Sequence, residues 1–139
     1  MRRACQSGQG GGRVVILMPL RVRLAPAAAS VGIARDRVRR HLEAAGCPHL
    51  VEDAVLIVSE LVTNAARASR PDRPIELRAR LDGGRLLIEV EDSSPGVPRT
   101  RRLTADSLSG RGLHIVTALA TECGHTPTPH GKVVWALLG

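Results

Sequence analysis

VSELVTNAARAS, residues 58–69, has the spacing of a helix but carries polar groups that a greasy helix does not need. The run AVLI precedes it and Leu61 and Val62 lie inside it, yet Glu60 and Asn64 sit four residues apart, with Arg67 three further on. On a helical wheel Val51, Val55, Val58, Val62, Ala65 and Ala66 form a core stripe, and Asp53, Glu60, Asn64 and Arg67 cluster opposite. Taken alone, that cluster reads as the solvated face of an amphipathic helix. Leu56 and Ile57 fall on the polar side too, one turn before Glu60. A polar stripe bordered by Leu and Ile reads instead as the wall of a half-buried pocket. A carboxylate taken out of water needs a partner, and a hydrated divalent cation can supply one. Mg²⁺ takes carbonyl, carboxylate and phosphate oxygens and keeps several waters. Asn64 offers a carbonyl oxygen, and Glu60 can accept a proton from a hydroxyl or a water. The pair makes sense opposite a nucleoside triphosphate.

Outward from this helix, the pattern predicts three helices in all, an edge strand and two hairpins. LRVRL (20–24) alternates Leu20, Val22 and Leu24 with two arginines and reads as an edge strand between Pro19 and Pro26. Ser30 is the expected cap of a first helix that runs to about Ala45 and stops at Gly46. Pro48 suits the first turn of the second helix, about His49 to Ser69. IELRARL (75–81) and RLLIEVED (85–92) alternate as half-buried strands around the DGG loop at 82–84. Residues 93–110 read as a loop, RGLHIVTALA (111–120) as a short helix, and the remainder as a last hairpin. The order βααββαββ, with hairpin-connected strands, predicts a two-layer α+β sandwich.

The 139 residues suit one domain, and aromatic content of 1%, Trp135 alone, leaves an aliphatic core. A net charge of +7 suggests nucleic acid, but its distribution opposes that reading. Residues 1–40 hold nine Arg and one acid, whereas residues 41–139 are nearly neutral, with eleven basic and twelve acidic residues. No aromatic residues interleave with the basic ones to stack on bases. Lys132 is the only lysine among the 20 basic residues. Residues 1–17 read as a disordered, basic, Gly-rich tail and residues 18–139 as the folded domain. Cys5, Cys47 and Cys123 form no CxxC pair, which fits reduced thiols in a cytoplasm. VVILMPL (14–20) is too short to span a bilayer. The five histidines form no ligand-spaced cluster for a metal.

Two further segments carry chemistry. In VEDSSPGVP (90–98) Asp92 stands where a strand ends, with Gly96 and two prolines shaping the turn behind it. A carboxylate there can accept a hydrogen bond from a purine's exocyclic amino group, although Asp also starts turns unaided. In SGRGLHIV (109–116) Gly110 and Gly112 stand at a loop-to-helix junction. Glycines there let backbone N–H groups approach a phosphate, and the helix N-terminus favours negative charge. Arg111, with Arg99, Arg101 and Arg102 before it, adds positive potential. A capping turn explains the glycines equally well.

Together these segments resemble the GHKL (Bergerat-fold, histidine kinase-like) ATPase superfamily, and within it the anti-sigma factor serine/threonine kinases and their small ATP-binding relatives. SELVTNAARAS resembles the family's N box, VEDSSPGVP a degenerate G1 box and SGRGLHIV the G2 box, over roughly Leu20 to the C-terminus. The resemblance implies helices packed on one face of a mixed, mostly antiparallel sheet. It implies ATP and Mg²⁺ as ligands, with Asn64 on the Mg²⁺ and Glu60 as general base toward a seryl hydroxyl of a protein substrate. It also implies Asp92 on the adenine amino group, Gly96 in the adenine pocket, and Arg67, Gly110, Arg111, Gly112 and Leu113 around the nucleotide. Implied partners are a sigma factor and an antagonist protein, with no nucleic acid or membrane, and a homodimer as one assembly. The sequence departs from the pattern at Ser94, where the family has the first G1 glycine, and at Ala68, where relatives often have His. It departs again at Val133, where a Thr hydroxyl is expected to support Asp92 through a water.

Two other functions compete with such a kinase. One is a non-catalytic module that grips a sigma factor and holds ATP only as a structural ligand or not at all; the degenerate G1 box favours it. The other is a histidine-kinase fragment with His41 as acceptor, which no long dimerising helix pair supports.

Overall fold

Alternation decides which residues of each strand face the helices. The computed structural model describes residues 18–94, 101–102 and 112–139. The tail expected at residues 1–17 lies outside them. Strand β1 (Leu20–Leu24) buries Leu20, Val22 and Leu24 and turns Arg21 and Arg23 outward. Strands β2 (Ile75–Asp82) and β3 (Arg85–Asp92) follow the same rule, with Ile75, Leu77, Ala79 and Leu81 buried on one and Leu86, Ile88, Val90 and Asp92 on the other. Gly83 and Gly84 join them in two residues with φ of 58° and 81°. Positive φ at both central positions is the turn that matches strand twist.

Strand β4 is only Arg101–Arg102, β5 is Glu122–Thr128 and β6 is Gly131–Leu138. The sheet order is β1-β2-β3-β6-β5-β4, and every pairing among the described residues is antiparallel. Among the described residues three α-helices cover one face, giving the expected α+β sandwich: α1 (Ala29–Ala44), α2 (Val51–Ala68) and α3 (Gly112–Leu119). Helix α2 contacts α1 and α3 and lies over β2, β3 and β6. Its Ala54, Ile57, Val58, Leu61, Val62 and Ala65 share one core with Val38 and Leu42 of α1 and Val116 of α3. Each such Leu, Ile or Val contributes roughly 1.5–3 kcal/mol relative to exposure.

Three local expectations are corrected. Ser30 does not cap α1; it lies inside the helix, buried, and its hydroxyl donates to the Ala25 carbonyl at 2.6 Å. The second helix begins at Val51, after a separate 3₁₀ turn at Pro48–Leu50 that keeps Pro48 at its start. Within the stretch read as a loop, Arg101–Arg102 pair with His125 and Gly124 and add a sixth strand. The stop at Gly46 is as expected. Its φ is 74°, the Gly46 N–H donates to Glu43 and the Cys47 N–H to Leu42, which is a Schellman motif.

The sheet's outer face is charged over β1–β3. Glu76 accepts from Arg21 Nε at 2.6 Å and from Arg78 Nη1 at 3.1 Å, and Arg78 also reaches Glu91 at 3.0 Å. Burial pushes the Glu76 carboxyl upward, but the bonds and charges of Arg21 and Arg78 outweigh it and hold the group below the usual glutamate value. Burial opposes the charge on Arg78, yet its bonds to Glu91 and Glu76 raise its pKa.

Candidate functional site

Helix α2 carries Glu60 and Asn64 along the margin of its core stripe. Both are half-buried, and Arg67, nearer the helix end, is exposed. Neither Glu60 nor Asn64 forms a side-chain hydrogen bond or ion pair with the other described residues. Their half-burial has a different cause from the one expected. Leu56 is 43% exposed, but Ile57 is 0% exposed and belongs to the core. The polar pair therefore borders the core directly on the Ile57 side and meets solvent on the Leu56 side. No shell of exposed Leu and Ile surrounds it.

Asp92 ends β3 on the same face of the sheet as the helices. Its carboxylate is 1% exposed. Oδ1 accepts from the Ser94 N–H at 2.9 Å and from the Ser94 hydroxyl at 2.6 Å. Oδ2 pairs with Lys132 Nζ at 3.0 Å. The Lys132 ammonium also donates to Ser94 Oγ, closing a three-membered network. The register explains the contact, since Asp92 of β3 lies opposite Lys132 of β6. Val133 lies opposite Glu91, on the other face of the sheet, so a hydroxyl at that position would not reach Asp92. The group beside Asp92 is the Lys132 ammonium.

Backbone contacts join the two halves. The Arg70 N–H donates to Ser93 Oγ at 2.9 Å and the Ser93 N–H to Ser69 Oγ at 3.4 Å, so the end of α2 is tied to the end of β3. Gly131 packs flat against the same corner. A Cβ built there would overlap the Asp92 carbonyl oxygen and lie 2.8 Å from Ser93 Cα.

Gly112 opens α3, and Leu113 follows it within the helix. Gly96, Gly110 and Arg111 lie outside the described residues, as does Arg99. Sequence reasoning passed over Ser69, Ser93 and the placement of Lys132. Composition singles Lys132 out as the one lysine of an arginine-rich chain, but gives no sign of its place beside Asp92.

The donor set fits a nucleotide. A carboxylate sits at a strand end, a carboxamide and a carboxylate on α2 make no side-chain bond to the other described residues, and the N-terminus of α3 favours negative charge. Among the described residues no group of His, Cys, Asp and Glu forms a metal site by itself. A cation would therefore draw most of its ligands from phosphates and water, as Mg²⁺ does. A groove lined by Arg23, Arg73, Glu76, Glu91, Asp92 and Ser93 reaches the same corner at the end of β3 and contains neither Glu60 nor Asn64. No helix among the described residues is long and apolar enough to cross a membrane.

Comparison with known proteins agrees with this geometry. The family model described as the histidine kinase-like ATPase domain matches residues 24–138. No curated protein matches the chain. A similar solved structure is that of the RsbU and RsbW domains of Rv1364c from Mycobacterium tuberculosis. It matches with a TM-score of 0.68 and 22% identity over 88% of this chain, a likeness of fold. The chain spans 32% of the length of that protein's solved chain.

Proposed function

The chain belongs to the histidine kinase-like ATPase domain family, and on that premise we propose that it is an ATP-binding regulator, an anti-sigma factor that phosphorylates a serine or threonine of an antagonist protein. The observation that carries the reading is the placement of Glu60 and Asn64, half-buried on α2 and without a side-chain bond to the other described residues, with a buried Asp92 on the same face of the sheet.

In this reading Asn64 ligates Mg²⁺ through its side-chain oxygen. Asp92 accepts a hydrogen bond from the adenine amino group. Arg67, Gly110, Arg111, Gly112 and Leu113 border the phosphates, and Gly96 the base. Glu60 accepts the proton of the attacking hydroxyl, at a position bordered by the core. Bound Mg·ATP supplies the γ-phosphoryl group, and positioning and charge stabilisation supply most of the catalysis. The solved chain of similar fold holds RsbU and RsbW domains; in this reading the present chain switches between a sigma factor and an antagonist.

The test is incubation of the chain with γ-labelled ATP, Mg²⁺ and candidate antagonist proteins. Label on a serine or threonine of the partner is the expected result. Glu60→Ala should abolish transfer while leaving Mg·ATP affinity within about threefold; equal transfer rates would remove Glu60 from the role. The second reading, a binding module without turnover, is favoured by Ser94 in place of a G1 glycine. It predicts Mg·ATP binding, or none, and no labelled partner. Binding to the native state alone raises the melting temperature, by about 2.7 kcal/mol of stabilisation at 100 times Kd.

A further inference from the structure

The carboxylate assigned to the base is largely occupied from within. A carboxylate has about four acceptor positions. Ser94 fills two of them at Oδ1, through its N–H and its hydroxyl, and Lys132 fills one at Oδ2. The Ser94 hydroxyl gives its proton to Asp92 and takes one from Lys132, so the triangle is closed. The Lys132 side chain is 21% exposed against 1% for Asp92, so Lys132 is the member of the pair that meets solvent. A neutral amino group arriving at Oδ2 has to compete with a charge-assisted bond, which is roughly twice as strong as a neutral one.

We propose that Lys132 and Ser94 form an internal latch on Asp92, and that Lys132 thereby sets how strongly this site discriminates an exocyclic amino group on a purine nucleotide. This rests on the nucleotide reading above. It extends that reading, because it assigns the discrimination to two residues of the chain that touch the carboxylate and not to the carboxylate itself. With the latch closed, adenine gains little from its amino group, and binding relies on the phosphates and Mg²⁺. With Lys132 neutralised, Oδ2 is open and the amino group is read in full.

The experiment is equilibrium titration of the native chain, Lys132→Gln and Ser94→Gly with two ligands, Mg·ATP and the Mg²⁺ complex of purine riboside triphosphate, which lacks the amino group. The native chain should bind the two within about twofold of each other. Lys132→Gln should bind Mg·ATP about tenfold tighter and the analogue unchanged. Ser94→Gly, which keeps the Asp92–Lys132 pair and so its buried charge compensated, should show a smaller gain of about threefold, again for ATP alone. If Lys132→Gln fails to fold, judged by its melting transition, Ser94→Gly carries the same comparison. Unchanged or weaker ATP binding by folded variants, or an equal gain for both ligands, overturns the latch. The nucleotide reading survives that result if Asn64→Ala still weakens Mg·ATP. Absence of nucleotide binding by every protein overturns both.

Discussion

At the scale of single residues the site depends on groups that hold others in place. Asn64 makes no side-chain bond within the described residues, so its removal should leave the fold intact. Asn64→Ala is expected to lower Mg·ATP affinity at least tenfold with the melting temperature in the absence of nucleotide unchanged; calorimetry and a thermal melt check the two halves. Gly131 is the opposite case. Any side chain there meets the backbone of Asp92 and Ser93, which cannot rotate away. Gly131→Ala should cost about 1–3 kcal/mol in denaturant unfolding, as overpacking does, and should loosen the Asp92–Lys132 contact as well. Little of this was legible beforehand. Asp92 could be read from a strand ending in a carboxylate. Its partner Lys132 could not, because β3 and β6 are separated by β4, α3 and β5, and a register between distant strands leaves no local trace. The same slip of one position put Val133 beside Asp92 in expectation, and one residue in a strand is a change of face.

At the scale of elements, what was legible is what local chemistry dictates. The alternation in residues 75–92 and the Gly83–Gly84 turn are period-two and positive-φ signals carried by neighbours in sequence. Helix α2 shows a broad apolar stripe, but its limits depend on the neighbours it packs against. Ile57 sits at the edge of that stripe, and the contacts of α2 with the other helices and the sheet are what bury it. Ile57→Ala should therefore cost about 2–5 kcal/mol, a core deletion; a loss below about 0.5 kcal/mol would return Ile57 to the surface role the sequence suggested. Ser30 was misread for a similar reason. A cap signal and a hydroxyl that bonds back to the preceding turn look alike in sequence, and only the entry path from β1 separates them. Gly46 was read correctly because a Schellman stop needs φ near 74°, which any other L-residue adopts at a cost of about 1–2 kcal/mol.

At the scale of the whole molecule, two groups on different layers make stability fall in acid. Burial of His41 lowers its pKa from 6.5, so the unfolded chain takes up that proton first. Its contribution is complete above about pH 6.5 and is lost as the pH falls toward the folded value. Glu76 is also depressed, from 4.5, by Arg21 and Arg78; its contribution is present above that value and lost as the pH falls through the lower folded one. The melting temperature should accordingly decline in two steps on acidification, the first removed by His41→Gln and the second by Glu76→Gln. A flat profile between pH 7 and 5 in the native chain would exclude the His41 step.

The strand order has a consequence for how the chain is made. Strand β6 is the last in sequence but lies in the interior of the sheet, between β3 and β5. During synthesis β1–β3 can pair early, yet the edge of β3 stays open until residues 131–138 emerge. Until then the lysine that faces Asp92 is also missing, so the carboxylate waits unpaired at an unfinished edge. Translation stalled before Gly131 should leave a nascent chain that recruits chaperones and clumps through that edge, and the corner around Asp92 is among the last parts to assemble.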